Sequence, residues 1–516
     1  MNSLDKAAIP RASSAPSGTA EIPAKHPLHD DEIARLGNII RTQEIKIQAL
    51  IQEVAYLRRM RYGAKSEALN AQQQQLFDDD IVQDVAAVEA ELELPQTPST
   101  PRTRTGRQTL PEHLERIEIR HDPESCTCST CQSDLVRIGE DISEQLDIEP
   151  ARFFVIRHIR PQYACRQCET VTAAPVTPAV IDGSLAAPGL LAWVATSKYL
   201  DHLPLYRLEQ IAARQQVPLS RSTMSEWIGR IGFALQPLAD RLREMLRQRH
   251  VLHADETPVK QLDPGAGKTK RAYLWSYRSN DLDTGPPIVV FDYQSSRAGH
   301  HARDFLQDWQ GSLMVDDYGG YKQLFAGQVT ELGCWAHARR KFFDLQADGT
   351  HPHAADALRR IGALYAVEEA AREMIVTDRA QHRLQHSVPA LEDLHDWLIR
   401  LRNSTADNSG LARAIDYTLK RWESLVRYAH TGNLPIDNNP VENAIRPIAL
   451  GKKNWLFAGT ERAGKRAAAI QSLFATAKLN GIEPSAWLKD TLEKLPVWTM
   501  GRIDELLPIK SIAQRD

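Results

Sequence analysis

Apolar positions divide this chain into stretches of different period. Residues 1–28 are rich in Ala, Ser and Pro and read as disordered. From residue 29 a regular spacing begins. Ile33, Leu36, Ile40, Ile47, Leu50, Val54 and Leu57 alternate at three and four residues, with Gln43 as the polar member of the seam. That is the a/d pattern of a coiled coil, so residues 29–70 are expected to drive self-association and to end on the basic patch RRMRYGAKSE. The period is lost over 71–113, where QQQQLFDDD, an acidic and Pro-rich run and PRTRTGRQ read as a linker. Its arginines suit a minor groove or plain solvation.

Helical spacing returns at 183–248. LPLYRLEQIAARQQVPLSRSTMSEWIGRIG fits helix, turn, helix, with Val217 and Pro218 breaking the first helix and Ser220 or Ser222 capping the second. The second helix would present Arg221, Ser222, Thr223 and Ser225 to DNA. An ordinary helical hairpin fits the same pattern. From 249 the period drops to that of strands. HVLHADETPV, KRAYLWSYRS and PPIVVFDYQ are three strands, HHARDFLQDW a helix, GSLMVDDYGGY a strand, YKQLF a short helix, and VTELGCWAH a strand entering the helix ARRKFFDL. The order β-β-β-α-β-α-β is that of an α/β ribonuclease-H-like core within a mainly helical, multidomain chain. Residues 249–345 form its first part. A helical insertion follows over 346–430, the second part lies at 431–483, and a tail covers 484–516.

Composition narrows the partners. The 516 residues suffice for several domains, and 42% hydrophobic with 25% charged residues is ordinary for a soluble chain. A formal charge of −3 means that nucleic acid must be met by local basic patches. There is no apolar run of about 18 residues and no secretory h-region at the N-terminus, so a cytoplasmic protein is expected, with no membrane partner. In that reducing setting clustered cysteines indicate metal. Cys128-x2-Cys131 and Cys165-x2-Cys168 make two matched knuckles able to surround one structural Zn²⁺, in a domain spanning 114–182. Cys126 is a spare. Arg152, Arg157, His158 and Arg160, on the strand before the second knuckle, are candidates to face phosphates.

Two acids stand at strand ends of the core. Asp255 lies on the first strand and Asp316 closes the fourth; if those strands are neighbours, the carboxylates meet and require a cation. Oxygen ligands favour Mg²⁺ or Mn²⁺, and a third acid would complete a two-metal site for phosphodiester displacement. Glu256 would point to the opposite face, and Asp317 is the competitor of Asp316. The third acid is sought in IDNNPVENAIRP (436–447). There Asn439 reads as an N-cap, Pro440 as the first helical residue and Glu442 as N3, able either to close a capping box or to bind metal. Behind it Arg446, Lys452, Lys453, Arg462, Lys465 and Arg466 interleave with Trp455 and Phe457, which suits a DNA backbone and an unstacked base.

The patch at 58–67, the paired knuckles, HADETPV, DDYGGY, CWAHARRKF and DNNPVENAIRPIALGKKNWLFAG together resemble the insertion-sequence-66 family of bacterial transposases over nearly the full length. The resemblance implies a DDE transposase with Asp255, Asp316 and Glu442 as its acids, divalent metal, and a zinc finger on Cys128, Cys131, Cys165 and Cys168. It implies strand cleavage and transfer on element ends, a nucleoid-associated setting and accessory proteins of the same element. Cys334 and His337 match the family's Cys-x2-His signature, read as structural. Arg221, Arg339, Arg340, Arg446, Lys452, Lys453 and Trp455 are the candidate DNA contacts. Asp317 stands where the family usually has Gly, and Asn443 where it often has Arg. The alternatives are a zinc-containing DNA-binding protein without catalysis and a nuclease that cuts without joining.

Overall fold

The computed structural model describes residues 110–122, 126–127, 131–149, 152–263, 268–346 and 352–510. The expected coiled coil at 29–70, nearly all of the linker, and Cys128 lie outside them.

The first described domain is a small sheet. β1 (Arg116–Arg120), β2 (Val136–Glu149), β3 (Arg152–Ala164) and β4 (Val171–Ala173) form it in the order β1-β3-β2, with β4 also pairing β3. β1 runs parallel to β3, and the other pairs are antiparallel. Three helices follow: α1 (Pro188–Tyr199), α2 (Leu205–Arg214) and the 27-residue α3 (Arg221–Arg247). Ser220 caps α3 by accepting the Thr223 N–H at 3.2 Å. Of the four residues expected to face outward on α3, Ser222 is exposed and Arg221 and Thr223 are half-buried. Ser225 is a correction: it is fully buried beside Met224, because the apolar stripe of α3 begins one turn inside the cap.

The central sheet is built from β5 (Val251–Asp263), β6 (Lys268–Ser279), β7 (Val289–Gln294), β8 (Gly311–Val315) and β9 (Val329–Gly333), in the order β7-β6-β5-β8-β9. β5, β6 and β7 are an antiparallel meander, whereas β8 joins β5, and β9 joins β8, in parallel. α4 (His300–Leu306) makes the crossover into β8. The helix expected between β8 and β9 is reduced to two 3₁₀ turns, Gly319–Tyr321 and Leu324–Ala326.

Helices cover both faces of this sheet. α10 (Asn439–Trp455) contributes Val441, Ile445 and Ile448 to a core with Val259, Leu274 and Phe291. On the other face Leu252, Ala254, Trp275, Tyr277 and Leu313 pack with α3 and α4. The edge strand β7 is closed by α11 (Glu461–Leu479). Ser472 Oγ accepts the Phe291 N–H at 2.8 Å, and Thr476 Oγ1 both accepts from Val289 N and donates to its carbonyl. A blunted edge cannot recruit a foreign strand. α12 (Pro484–Lys494) ends the helical series.

Between β9 and α10 the chain leaves the sheet through α5 (Trp335–Gln346), α6 (Pro352–Ala370), α7 (Val376–Asn403), α8 (Gly410–Lys420) and α9 (Trp422–Val426). This insertion has its own core around Trp335, Phe342, Ile361, Leu394, Leu398 and Ile415. Gly333 permits its close docking, since a Cβ there would stand 2.8 Å from Ser424 Oγ.

Candidate active site

Strand register brings the first two acids together. β5 and β8 pair as Val251 with Ser312, Leu252 with Leu313 and His253 with Met314. Continued two residues past its last pair, the same register would set Asp255 opposite Asp316, which lies just beyond β8; neighbouring strands stand about 4.8 Å apart. Glu442 arrives from the first turn of α10. Burial, then the charges of Glu256, Asp316 and Glu442, push the Asp255 carboxyl up to about 8, against one lowering contact from the Glu256 N–H. Asp255 therefore sits among like charges, Glu256 foremost, then Asp316 and Glu442, which a bound cation would relieve. Ligand chemistry agrees: an all-carboxylate donor set suits Mg²⁺ or Mn²⁺.

The competing acids are otherwise engaged. Glu256 points away from Asp255, and its buried carboxylate accepts from Arg297 Nε at 2.7 Å and from the Tyr321 hydroxyl at 2.8 Å. Asp317 pairs with Arg421 and lies 3.6 Å from Lys322 Nζ. Arg421 also donates to the Asp316 carbonyl at 3.2 Å and meets Glu331 at 2.9 Å, with its side chain 4% exposed. Asp316 keeps one carboxylate oxygen on the Tyr318 N–H at 2.8 Å. A buried arginine from the helical insertion thus fixes the turn that carries the second acid.

A different asparagine from the one expected starts α10. The helix begins at Asn439, with Asn438 as N-cap and Pro440 as its second residue, so Glu442 is N4 rather than N3. No capping box forms, because the Asn438 N–H goes to Cys334 Sγ at 3.2 Å. Asp437 serves the helix start instead, accepting the Asn439 N–H at 3.0 Å. Asn438 is fully buried; its side chain donates to the Ala254 carbonyl at 2.9 Å and meets His253 Nδ1 at 3.1 Å. Those two residues immediately precede Asp255. Asn438 therefore locks the start of α10 to the strand of the first acid. Nothing in local periodicity singles out Asn438 or Arg421, since their partners lie 184 and about 105 residues away.

Cys334 and His337 open α5 beside Glu442. Burial pushes the Cys334 thiol up to about 12. His337 Nδ1 lies 3.6 Å from Glu442 Oε1. In the small sheet Cys131 Sγ is 3.2 Å from Cys165 Sγ and 3.8 Å from Cys168 Sγ. Hydrogen bonds from Ser133, then Cys168 and Cys131, bring the Cys165 thiol down to about 5, a ready thiolate. Thiolates about 2.3 Å from a tetrahedral Zn²⁺ stand about 3.8 Å apart, so three of the four expected ligands fit. Cys126 is exposed and free.

The candidate DNA contacts divide. Arg339, Arg340, Arg446 and Lys453 are exposed, and Arg221 is half-buried at the start of α3. Lys452 Nζ instead donates to the Pro258 carbonyl at 2.9 Å, clamping α10 on β5, and Trp455 is half-buried against the core on that sheet face. The arginines expected to face phosphates on β3 are engaged in the sheet. Arg152 pairs with Glu115 at 2.9 Å, Arg157 with Glu144 at 3.1 Å, and Arg160 is buried against Ser143. His158 stacks on His121.

Comparison with known sequences gives the family. Residues 183–466 match the family described as "Transposase IS66 family". Residues 125–169 match "zinc-finger binding domain of transposase IS66" and 472–509 match "IS66 C-terminal element". Residues 49–119 match "Transposase C of IS166 homeodomain". Among relatives, the protein y4qI of Sinorhizobium fredii is 35% identical over 494 residues, 92% of this chain and 91% of its own. The protein y4jD of the same organism is 36% identical over 476 residues, 88% and 93% of the two chains. Both are described as uncharacterized proteins. Among the described residues no helix is long and apolar enough to cross a membrane.

Proposed function

The chain belongs to the IS66 transposase family, and we propose that it cuts the ends of a mobile DNA element and joins them to target DNA with Asp255, Asp316 and Glu442 as its catalytic acids. One observation supports this reading: Asp316, at the end of β8, and Glu442, at the start of α10, stand close enough to Asp255 to add to the burial and the Glu256 charge that raise its pKa to about 8. The sheet order β7-β6-β5-β8-β9, with the meander antiparallel and the last two strands parallel, supports a ribonuclease-H-like core.

Asp255, Asp316 and Glu442 would hold Mg²⁺ or Mn²⁺. Such ions, when bound, activate an oxygen nucleophile and neutralise charge on the attacked phosphate. The chain's own part is positional. Asn438 holds α10 against β5, Arg421 holds the Asp316 turn, and Arg297 with Tyr321 binds the Glu256 carboxylate. Arg446 and Lys453, exposed on the helix that carries Glu442, meet the DNA backbone, with Arg221, Arg339 and Arg340 as further contacts. First a water, then the freed 3′-hydroxyl, attacks a phosphodiester; neither displacement needs a covalent enzyme intermediate. Residues 29–70 serve oligomerisation and 114–182 form a zinc-holding DNA-binding module. Residues 183–248 are a second helical DNA-binding region, and 346–430 brace the core halves at 249–345 and 431–483.

The test is incubation of the full chain with DNA carrying the element's own ends and Mg²⁺. Nicked ends and joined products are expected, both absent with Asp316→Asn. Cutting without joining would leave a nuclease, and end binding without cutting would leave a DNA-binding protein.

A further inference from the structure

The proposed reaction gives no part to the Cys334 thiol or the His337 ring, which lie beside Glu442. Cys334 Sγ and one ligand atom each from His337 and Glu442 all lie within 4.8 Å of one another. His337 Nδ1 and Glu442 Oε1, 3.6 Å apart, are both buried atoms without a hydrogen-bond partner. A buried polar atom left without a partner is unfavourable, so two of them side by side call for an occupant that both can bind.

The donor set says which occupant. Sulfur, imidazole nitrogen and one carboxylate oxygen favour Zn²⁺ or a similarly soft ion over Mg²⁺. Spacing agrees, because ligands 2.0–2.1 Å from a tetrahedral ion stand about 3.4 Å apart. The frame is also rigid. Cys334 is 1% exposed and sits at the mouth of α5, with His337 one turn later. The Asn438 N–H points at Cys334 Sγ, a hydrogen bond of the kind that orients a metal-bound sulfur. A coordinated thiol gives up its proton to solvent, since the ion supplies the positive charge that this buried pocket lacks.

We propose that Cys334, His337 and Glu442 form a second zinc site, distinct from the cysteine cluster of the small sheet. Water completes the coordination. One oxygen of Glu442 faces this ion and the other is left for the acid cluster, so the ion fixes the orientation of the third acid. The site rests on the proposed reaction only in giving Glu442 that double duty; the metal binding stands apart from it.

The experiment counts zinc in full-length protein by elemental mass spectrometry after exhaustive dialysis against metal-free buffer. About two ions per chain are expected for the unaltered protein, about one for Cys334→Ala or His337→Asn, and about one for Cys168→Ser. Circular dichroism checks that each variant is folded, and the half-buried His337 carries the test if Cys334→Ala does not fold. Cobalt replacement adds a second reading: the sulfur-to-cobalt absorption band falls in Cys334→Ala, and the remaining band disappears in the double variant with Cys168→Ser. A zinc count unchanged in both Cys334→Ala and His337→Asn overturns the site. If the count falls as expected while no condition yields DNA cleavage, the reaction fails and the site stands. If cleavage proceeds with the count unchanged, the reverse holds.

Discussion

Asp255 is the residue at which pH and metal meet. An aspartate in an unfolded chain titrates near 3.9, whereas burial and its acidic neighbours raise Asp255 to about 8 in the folded, metal-free protein. The folded state then holds a proton that the unfolded state has lost. Its stabilising contribution is fully present below pH ~4 and is lost as pH rises to about 8. Asp255→Asn removes this ionisation. Metal-free Asp255→Asn is expected to melt several degrees above the unaltered protein at pH 8 and level with it at pH 4. Adding Mg²⁺ should raise the melting temperature of the unaltered protein and not that of the variant. Differential scanning calorimetry at the two pH values checks both statements. Asp255 and Asp316 could be placed on the fold from the sequence because each belongs to a segment of clear strand period: Asp255 lies inside β5 and Asp316 just past the end of β8. Glu442 was legible as an acid at a helix start, but its cap was misplaced by one residue. Asn438 and Asn439 are adjacent and chemically alike, and only the long-range bond to Ala254 separates them.

At the scale of elements, the site depends on joints between segments distant in sequence. α10 is tied to β5 by Asn438 at one end and by Lys452, on the Pro258 carbonyl, at the other. Asn438→Ala would leave the Ala254 carbonyl and the His253 ring nitrogen without their partner, while the backbone N–H to Cys334 remains. It should cost about 2–4 kcal/mol of stability and lower cleavage more than DNA binding, measured by urea unfolding and filter binding. Arg421 makes the corresponding joint between the insertion and the Asp316 turn. Arg421→Met is expected to keep the fold of the insertion while lowering cleavage at least tenfold, checked on element-end DNA; unchanged cleavage would separate the turn from the chemistry. Such joints carry no period. A pattern of apolar positions locates an element and its buried face, but the polar groups that fix one element on another answer to partners a hundred or more residues away. The short 3₁₀ turns between β8 and β9 illustrate the same limit, because YKQLF has a helical pattern too brief to propagate a helix.

Across the whole molecule, the sheet and the insertion have separate hydrophobic cores and are joined through Gly333, Trp335 and Arg421. The insertion is itself centred on Arg383. Its fully buried side chain meets Glu368 at 2.8 Å and donates to the carbonyls of Tyr428, Thr431 and Leu434 at 3.0, 2.7 and 3.0 Å. Arg383→Ala would strand Glu368 and three carbonyls, and should cost about 3–5 kcal/mol by chemical denaturation. The sequence showed this region as helical without showing what it packs on, since an amphipathic helix names its buried face and not its partner. The central claim concerns the three acids acting as one metal-holding unit. Its most direct test is Mg²⁺-dependent cleavage of element-end DNA by the unaltered chain and by Asp255→Asn, Asp316→Asn and Glu442→Gln, each shown to bind that DNA normally. The account predicts a loss of at least a thousandfold in all three, with no further loss when two are combined. Full cleavage by any one of them would contradict it.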